Sequence, residues 1–200
     1  MLEELEHVQE YPKFYWEDRD SNKALGGYGA NYSLSDFPKN SPDFVFGGGP
    51  FCKNSKDTVW HDVPTAFFFN PRVLLSSQKN TYQKPSAPPK PSSKTETPIM
   101  SEWQKLISTV LSNIQYKLME KVVLARRTSL SFEEEINPFD ILKNLKAVNT
   151  RAVCFLLQFS KETAFVGATP EKLYSRKGRI LLSDALAGTC SLEALAYPSA

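Results

Sequence analysis

Two strand-like segments carry side chains that could act as an acid and a base. Lys121 opens the first, a β-branched run that ends at Arg126, and Glu171 ends the second, which begins at Phe165. The chain has only two histidines. A lysine and a carboxylic acid are therefore its expected general base and general acid. A turn of small residues at Gly188-Thr189 follows soon after Glu171.

Each of these residues also has a structural explanation. A lysine at the start of a strand is more often solvated, and the alternative is a partly desolvated amine that can accept a proton. A glutamate directly after a proline is more often exposed in a turn, whereas a carboxyl group in a sheet-lined cleft can stay protonated and act as an acid. Backbone N–H groups at Gly188-Thr189 could hold a carboxylate oxygen, although an ordinary turn has the same sequence. Taken singly, the residues leave these alternatives open.

The elements that would position these residues start with an aromatic region. Residues 1–78 are rich in aromatic residues and glycine, a pattern typical of strands whose rings form the core of a sheet. Residues 79–98 are rich in proline and serine and predict an exposed loop or linker. Apolar residues three and four positions apart then predict a helix from an N-cap at Ser101 to about Met119.

The second half of the chain predicts helices alternating with strands. A second helix runs from Phe139 to about Val148, after a proline suited to its first turn. The apolar run 152–159 predicts a central strand, residues 163–168 a further strand, and the turn 176–178 a hairpin. Together these elements predict an α+β fold with a large, mostly antiparallel sheet and flanking helices.

Composition excludes several classes of protein. The net charge is only +2 and the basic residues are scattered, which argues against a nucleic-acid partner. The apolar stretches are far shorter than the ~20 residues of a membrane span. Three irregularly spaced cysteines predict a reducing compartment without disulfides. The two histidines lie far from any cysteine cluster, which argues against a zinc site. We expect a cytoplasmic protein with no membrane or nucleic-acid partner.

As an ordered set, three motifs resemble those of the chorismate-utilising enzymes. They are Lys-Val-Val-Leu-Ala-Arg at 121–126, Phe-Val-Gly-Ala-Thr-Pro-Glu-Lys-Leu at 165–173 and Ala-Leu-Ala-Gly-Thr at 185–189. The aromatic segment Tyr11–Arg19 and a Phe46-Gly-Gly…Trp60…Pro64 pattern resemble the menaquinone-type isochorismate synthases in particular. The resemblance covers residues 8–189 and assigns residues 99–189 to the start of the chorismate-binding region.

The resemblance implies a reaction. Lys121 matches the family's general base for water, and Glu171 matches the acid that protonates the hydroxyl leaving C4 of chorismate. Gly188 and Thr189 match a backbone turn that contacts the substrate. The family also implies Mg²⁺ as cofactor. Ammonia-using members lack the lysine, so Lys121 favours isochorismate as the product of water attack at C2, with salicylate as the alternative.

The last residues depart from the resemblance. Residues 190–200 show no match to the family pattern, in which the chain continues with the Mg²⁺ ligands. We therefore expect an incomplete, N-terminal part of the family fold, with no metal ligands of its own and no activity in isolation. The alternatives are a catalytically inactive remnant, or half of a split enzyme whose C-terminal half comes from another chain.

Overall fold

The computed structural model describes residues 1–38, 43–50, 63, 65–79 and 87–184. The chain forms two compact units. The first combines Met1–Ser86 with Pro138–Ala200, and the second is Ala87–Asn137. Among the described residues, no helix is both long enough and apolar enough to cross a membrane.

Among the described residues of the first unit, the main element is a six-stranded sheet in which all neighbouring strands are antiparallel. Its strands, numbered along the whole chain, are β1 (Lys13–Glu17), β2 (Lys23–Leu34), β3 (Phe46–Gly48), β4 (Phe67–Gln78), β7 (Val153–Gln158) and β8 (Ala164–Thr169). Their order across the sheet is β3-β4-β2-β1-β7-β8. A separate hairpin pairs β9 (Ser175–Lys177) with β10 (Ile180–Leu182). It turns at Gly178, whose φ of 59° lies in the left-handed region that glycine adopts without steric cost.

The two faces of the sheet hold two apolar clusters. On one face, Tyr15 packs with residues of α1 (Leu2–His7) and α3 (Pro138–Val148), among them Leu5 and Leu142. On the other face Phe14 packs with Phe69 and Leu157, and its ring lies 4.2 Å from that of Phe46. Alternate residues of a strand point to opposite faces, so β1 supplies both clusters. The prediction that the aromatic residues form a sheet core is confirmed.

The second unit contains two strands and one helix. Strands β5 (Ser93–Thr97) and β6 (Arg127–Ser131) are antiparallel, with Thr97 opposite Arg127. Between them in sequence lies α2 (Met100–Gln115), in which no residue is buried. The helix begins at Met100 because Ile99 serves as its N-cap and donates its N–H to Glu102 Oε2 at 3.2 Å. The prediction of Ser101 as N-cap was therefore wrong by two positions.

The α+β fold with a large antiparallel sheet is confirmed. Both predicted helices are present, as are the strands near 152–159 and 163–168. The predicted strand at Lys121–Arg126 is wrong, because the ladder with β5 starts only at Arg127. β-branched residues favour a strand only where a neighbouring strand supplies hydrogen bonds. Among the described residues, three elements were not expected: α1, β5 within the predicted loop 79–98, and β6.

Candidate functional site

Glu171 lies just past the end of β8, and its backbone is held by a neighbouring side chain. The hydroxyl of Thr169 accepts a hydrogen bond from the Glu171 N–H at 3.2 Å and donates one to the Glu171 carbonyl at 3.1 Å. The Glu171 side chain itself is exposed. No residue that the structure describes pairs with its carboxylate. The backbone is thus fixed while the acid group stays available.

Lys172 fastens the chain on the carboxyl side of Glu171. Its Nζ lies 2.6 Å from Asp18 Oδ1 and 2.7 Å from Asp20 Oδ2. Its backbone N–H donates to Asp184 Oδ2 at 2.9 Å. Hydrogen bonds and ion pairing with Asp18 and Asp20 raise the pKa of Lys172. The ammonium group is therefore held charged between two carboxylates.

Arg19 fastens the chain on the amino side of Glu171. Its Nη1 donates a hydrogen bond to the carbonyl of Pro170, which belongs to the peptide group that joins Pro170 to Glu171. The same guanidinium reaches Asp20 through Nε and Asp184 through Nη2, each at 2.9 Å. The Lys172 N–H and the Arg19 guanidinium together lower the pKa of Asp184. We call Asp18, Arg19, Asp20, Lys172 and Asp184 the ionic cluster.

Lys121 lies in the second unit, in a segment without regular secondary structure, and it is exposed. Its neighbour Val123 is 82% exposed. The segment ends at Arg126, whose Nε donates to the Pro98 carbonyl at 3.2 Å and whose guanidinium pairs with Glu96. Because Lys121 is exposed among the described residues, a desolvated base remains a prediction.

The four predicted site residues are not brought together in one described site. Lys121 and Glu171 belong to different compact units. Gly188 and Thr189 lie outside the described residues. The roles of all four remain predictions, and the ionic cluster around the Glu171 segment is the local geometry that the structure adds.

Sequence reasoning gave no site role to any member of the ionic cluster, although Lys172 and Asp18-Arg19 lie within the motifs that carry the family resemblance. Asp18-Arg19-Asp20 has the composition of an ordinary solvated turn, and no spacing rule links it to Lys172 or Asp184, more than 150 positions later. The only local signal was Thr169 two residues before Glu171, a spacing at which a hydroxyl can bond the following backbone.

The described residues do not fit a Mg²⁺ site. They contain no group of three or more histidine, cysteine or acidic side chains that could hold a metal ion. The carboxylates of Asp18, Asp20 and Asp184 are already paired with Arg19 and Lys172. Mg²⁺ needs free oxygen ligands, and these paired carboxylates do not offer them.

A comparison with models of protein families shows which family the chain belongs to. The profile described as chorismate binding enzyme matches residues 75–196, more than half of the chain. The chain belongs to this family. The matched range contains Lys121, Glu171 and Gly188-Thr189. It also extends past Thr189 to residue 196, so the prediction that the segment 190–200 lacks a family match was wrong for residues 190–196.

Individual proteins that are similar to this chain are isochorismate synthases. The isochorismate synthase MenF of Haemophilus influenzae is 28% identical over 96% of this chain and 50% of its own length. The MenF of Escherichia coli is 35% identical over a shorter stretch, 46% of this chain and 21% of that protein. The chain spans about half the length of the curated relatives that it matches along most of its sequence.

Solved structures support the fold. The menaquinone-specific isochorismate synthase MenF of Escherichia coli superposes with a TM-score of 0.65 at 20% identity, covering 90% of this chain and 49% of that one. The 2,3-dihydroxybenzoate-specific isochorismate synthase DhbC of Bacillus anthracis superposes with a TM-score of 0.68 at 18% identity, covering 94% of this chain and 52% of that one. At these identities the likeness establishes the fold alone.

Proposed function

We propose that this chain supplies the N-terminal half of an isochorismate synthase of menaquinone biosynthesis. The observation that carries the proposal is the similarity to an isochorismate synthase MenF along 96% of the chain. Lys121 in the first motif supports a water-using enzyme over an ammonia-using one. Because the chain spans about half of such relatives, the activity is proposed for this chain combined with the other half of the family fold.

The proposed reaction is an isomerisation that needs one base and one acid. Lys121 takes a proton from water, and the water oxygen bonds to C2 of chorismate while the ring double bonds shift. The bond between C4 and its hydroxyl oxygen breaks, and Glu171 donates a proton so that this oxygen leaves as water. One water enters and one leaves, so atoms and charge balance. A positioned acid or base typically contributes about 10²–10⁴-fold in rate.

Apolar residues of both units are available to pack against the other half. Leu118 and Val123 in the second unit are 74% and 82% exposed, and Leu173 in the first is 81% exposed. Removing such apolar side chains from water is favourable. We therefore propose that the other half, in the same or a second polypeptide, covers these residues.

We also propose Mg²⁺ as the cofactor, because the family resemblance implies it. We propose the cytoplasm as the location, because the cysteine pattern favours a reducing compartment.

Complementation tests the proposed function. The purified 200-residue chain, alone and mixed with the C-terminal half of Escherichia coli MenF, is incubated with chorismate and Mg²⁺, and the products are separated by chromatography. We expect isochorismate from the mixture only. Lys121→Ala and Glu171→Gln should each lower its formation at least about 10²-fold. The matched controls are the exposed Lys105→Ala and Glu162→Gln, which should leave the rate unchanged.

Two results would decide against the proposal. If the two halves form a stable complex but yield no isochorismate, the proposed function is refuted. Salicylate as the accumulating product would replace isochorismate synthesis with the salicylate alternative.

A further inference from the structure

The register of the sheet places the end of β8 beside the turn that follows β1. Glu17, the last residue of β1, pairs with Cys154 of β7, and Thr169, the last residue of β8, pairs with the adjacent Val153. The segment that carries Glu171 therefore leaves the sheet at the end where Arg19 begins the β1–β2 turn.

None of the described strands pairs with the Glu171 segment. Among the described strands, β8 lies at the end of the sheet and its ladder stops at Thr169. The backbone of the next residues is held instead by the side chains of Arg19, Thr169 and Asp184, which bond the Pro170 carbonyl, the Glu171 N–H and the Lys172 N–H respectively. These contacts lie on both sides of Glu171, so they set the direction of its Cα–Cβ bond and leave only side-chain torsions free.

We propose that Arg19 is a positioning residue for Glu171, because it ties the Pro170–Glu171 peptide group to Asp184 and the β1–β2 turn. The role of Glu171 as the acid rests on the proposed function. Arg19 itself needs no contact with substrate for this role.

The guanidinium group is suited to this role in a way that an ammonium group is not. Its planar fork donates to Pro170, Asp20 and Asp184 at once from three nitrogens in fixed directions. A lysine at position 19 would keep the charge but place one donor atom among three acceptors. Arg19→Lys therefore separates geometry from charge.

The first test measures the local backbone without reference to activity. Amide hydrogen exchange is followed residue by residue in the 200-residue chain. We expect Arg19→Ala to speed exchange at Glu171 and Lys172 at least about tenfold while β7 amides keep their protection, since buried strands open only in larger unfolding events. The matched control is Arg72→Ala, which removes an arginine–carboxylate pair with Glu10 in the same unit. Unchanged exchange at Glu171 and Lys172 would overturn the proposal.

The second test measures turnover in the complemented enzyme. Misplacing a catalytic group by about 1 Å can cost 10²-fold, so Arg19→Ala should lower kcat by about 10–100-fold with little change in KM for chorismate. Arg19→Lys should recover less than half of the loss, whereas added ethylguanidinium should restore kcat of Arg19→Ala in a saturable way. A merely structural defect would not show such a rescue.

The outcomes separate the two proposals. If the wild-type mixture makes no isochorismate, the proposed function fails, and the exchange experiment still decides whether Arg19 holds the segment. If exchange at Glu171 rises but kcat stays at the wild-type value, Arg19 is not a positioning residue. If Arg19→Ala does not fold, Arg19→Lys takes its place in both tests, with the same expected direction and the same overturning results.

Discussion

Replacing Lys146 with methionine should destabilise the first unit strongly, because it leaves a carboxylate buried without its cation. Lys146 Nζ lies 2.9 Å from Glu17 Oε2 and donates to the Tyr15 hydroxyl at 2.7 Å, and that hydroxyl donates to the same Glu17 oxygen at 2.6 Å. Glu17 and Lys146 are 2% and 6% exposed. In the variant, Tyr15 would be the one described side chain still bonded to the Glu17 carboxylate.

Removing one partner of a buried ion pair typically costs about 3–5 kcal/mol. The free energy of unfolding of a domain is only about 5–15 kcal/mol, so the expected loss from Lys146→Met is roughly a fifth of the total or more. The double variant Glu17→Leu with Lys146→Met should recover most of it, because an apolar pair of similar volume has no charge to desolvate. The pair is thus expected to be costly to break but not essential to stability.

Urea unfolding followed by tryptophan fluorescence measures this loss. Trp16 lies on β1 beside Phe155, with ring centroids 6.2 Å apart, and it reports on the first unit once Trp60 and Trp103 are replaced by phenylalanine. Lys143→Met is the matched control on the same helix. Lys143 pairs with Glu6 and Asp140 but is 41% exposed, so its loss should stay below about 1 kcal/mol. Equal losses for the two lysines, or a loss below about 1 kcal/mol for Lys146→Met, would refute the reasoning.

Three further predictions concern single residues of the same sheet. Burial lowers the pKa of Lys13, and the nearby Glu6 carboxylate opposes this effect. The protonated Lys13 side chain therefore lowers the free energy of unfolding at neutral pH. This destabilisation decreases as pH rises toward 10.5, the pKa of lysine in the unfolded chain. Lys13→Met should accordingly raise the free energy of unfolding more at pH 7 than at pH 10, and a pH-independent difference would contradict this. Burial, with the nearby Glu17 carboxylate, raises the pKa of the Cys154 thiol. In a variant whose other cysteines are replaced by serine, Cys154 should react with Ellman's reagent only as fast as the protein unfolds. Rapid labelling of the folded chain would count against this prediction. A Cβ at Gly167 would lie 2.5 Å from Cζ of Phe155. Gly167→Ala should therefore lower the free energy of unfolding, measured in urea, by about 1–3 kcal/mol, and by clearly less in a Phe155→Leu background. Equal losses in both backgrounds would exclude the Phe155 ring as the cause.

Local patterns predicted the elements whose stabilising contacts lie within or directly beside them. The helix at Pro138–Val148 has an apolar stripe and a proline at its first turn, and the strand at Val153–Gln158 is almost wholly apolar, so both could be predicted. The run Lys121–Arg126 has the same β-branched character but lacks a described partner strand, and propensity alone did not make it a strand.

The geometry around Glu171 could not be predicted, for a related reason. The motif drew attention to Glu171 itself, but Arg19 and Asp184 are 165 positions apart and meet only because the sheet brings β1 and β8 to the same end. Charged residues in a turn have no periodicity that reports such a meeting. The candidate acid was therefore found from the sequence, and the residues that hold it were found only from the topology.

The strand order also has a consequence during synthesis. The central strand β1 pairs on one side with β2, which follows at once, but its other partner β7 emerges about 135 residues later. At about 5–20 residues per second, the second edge of β1 stays unpaired on the ribosome for on the order of ten seconds. Inward-pointing charges on an open edge disfavour pairing with a second nascent chain. Lys13 and Glu17, buried in the finished sheet, would then protect the growing polypeptide from aggregation before α3 and β7 exist.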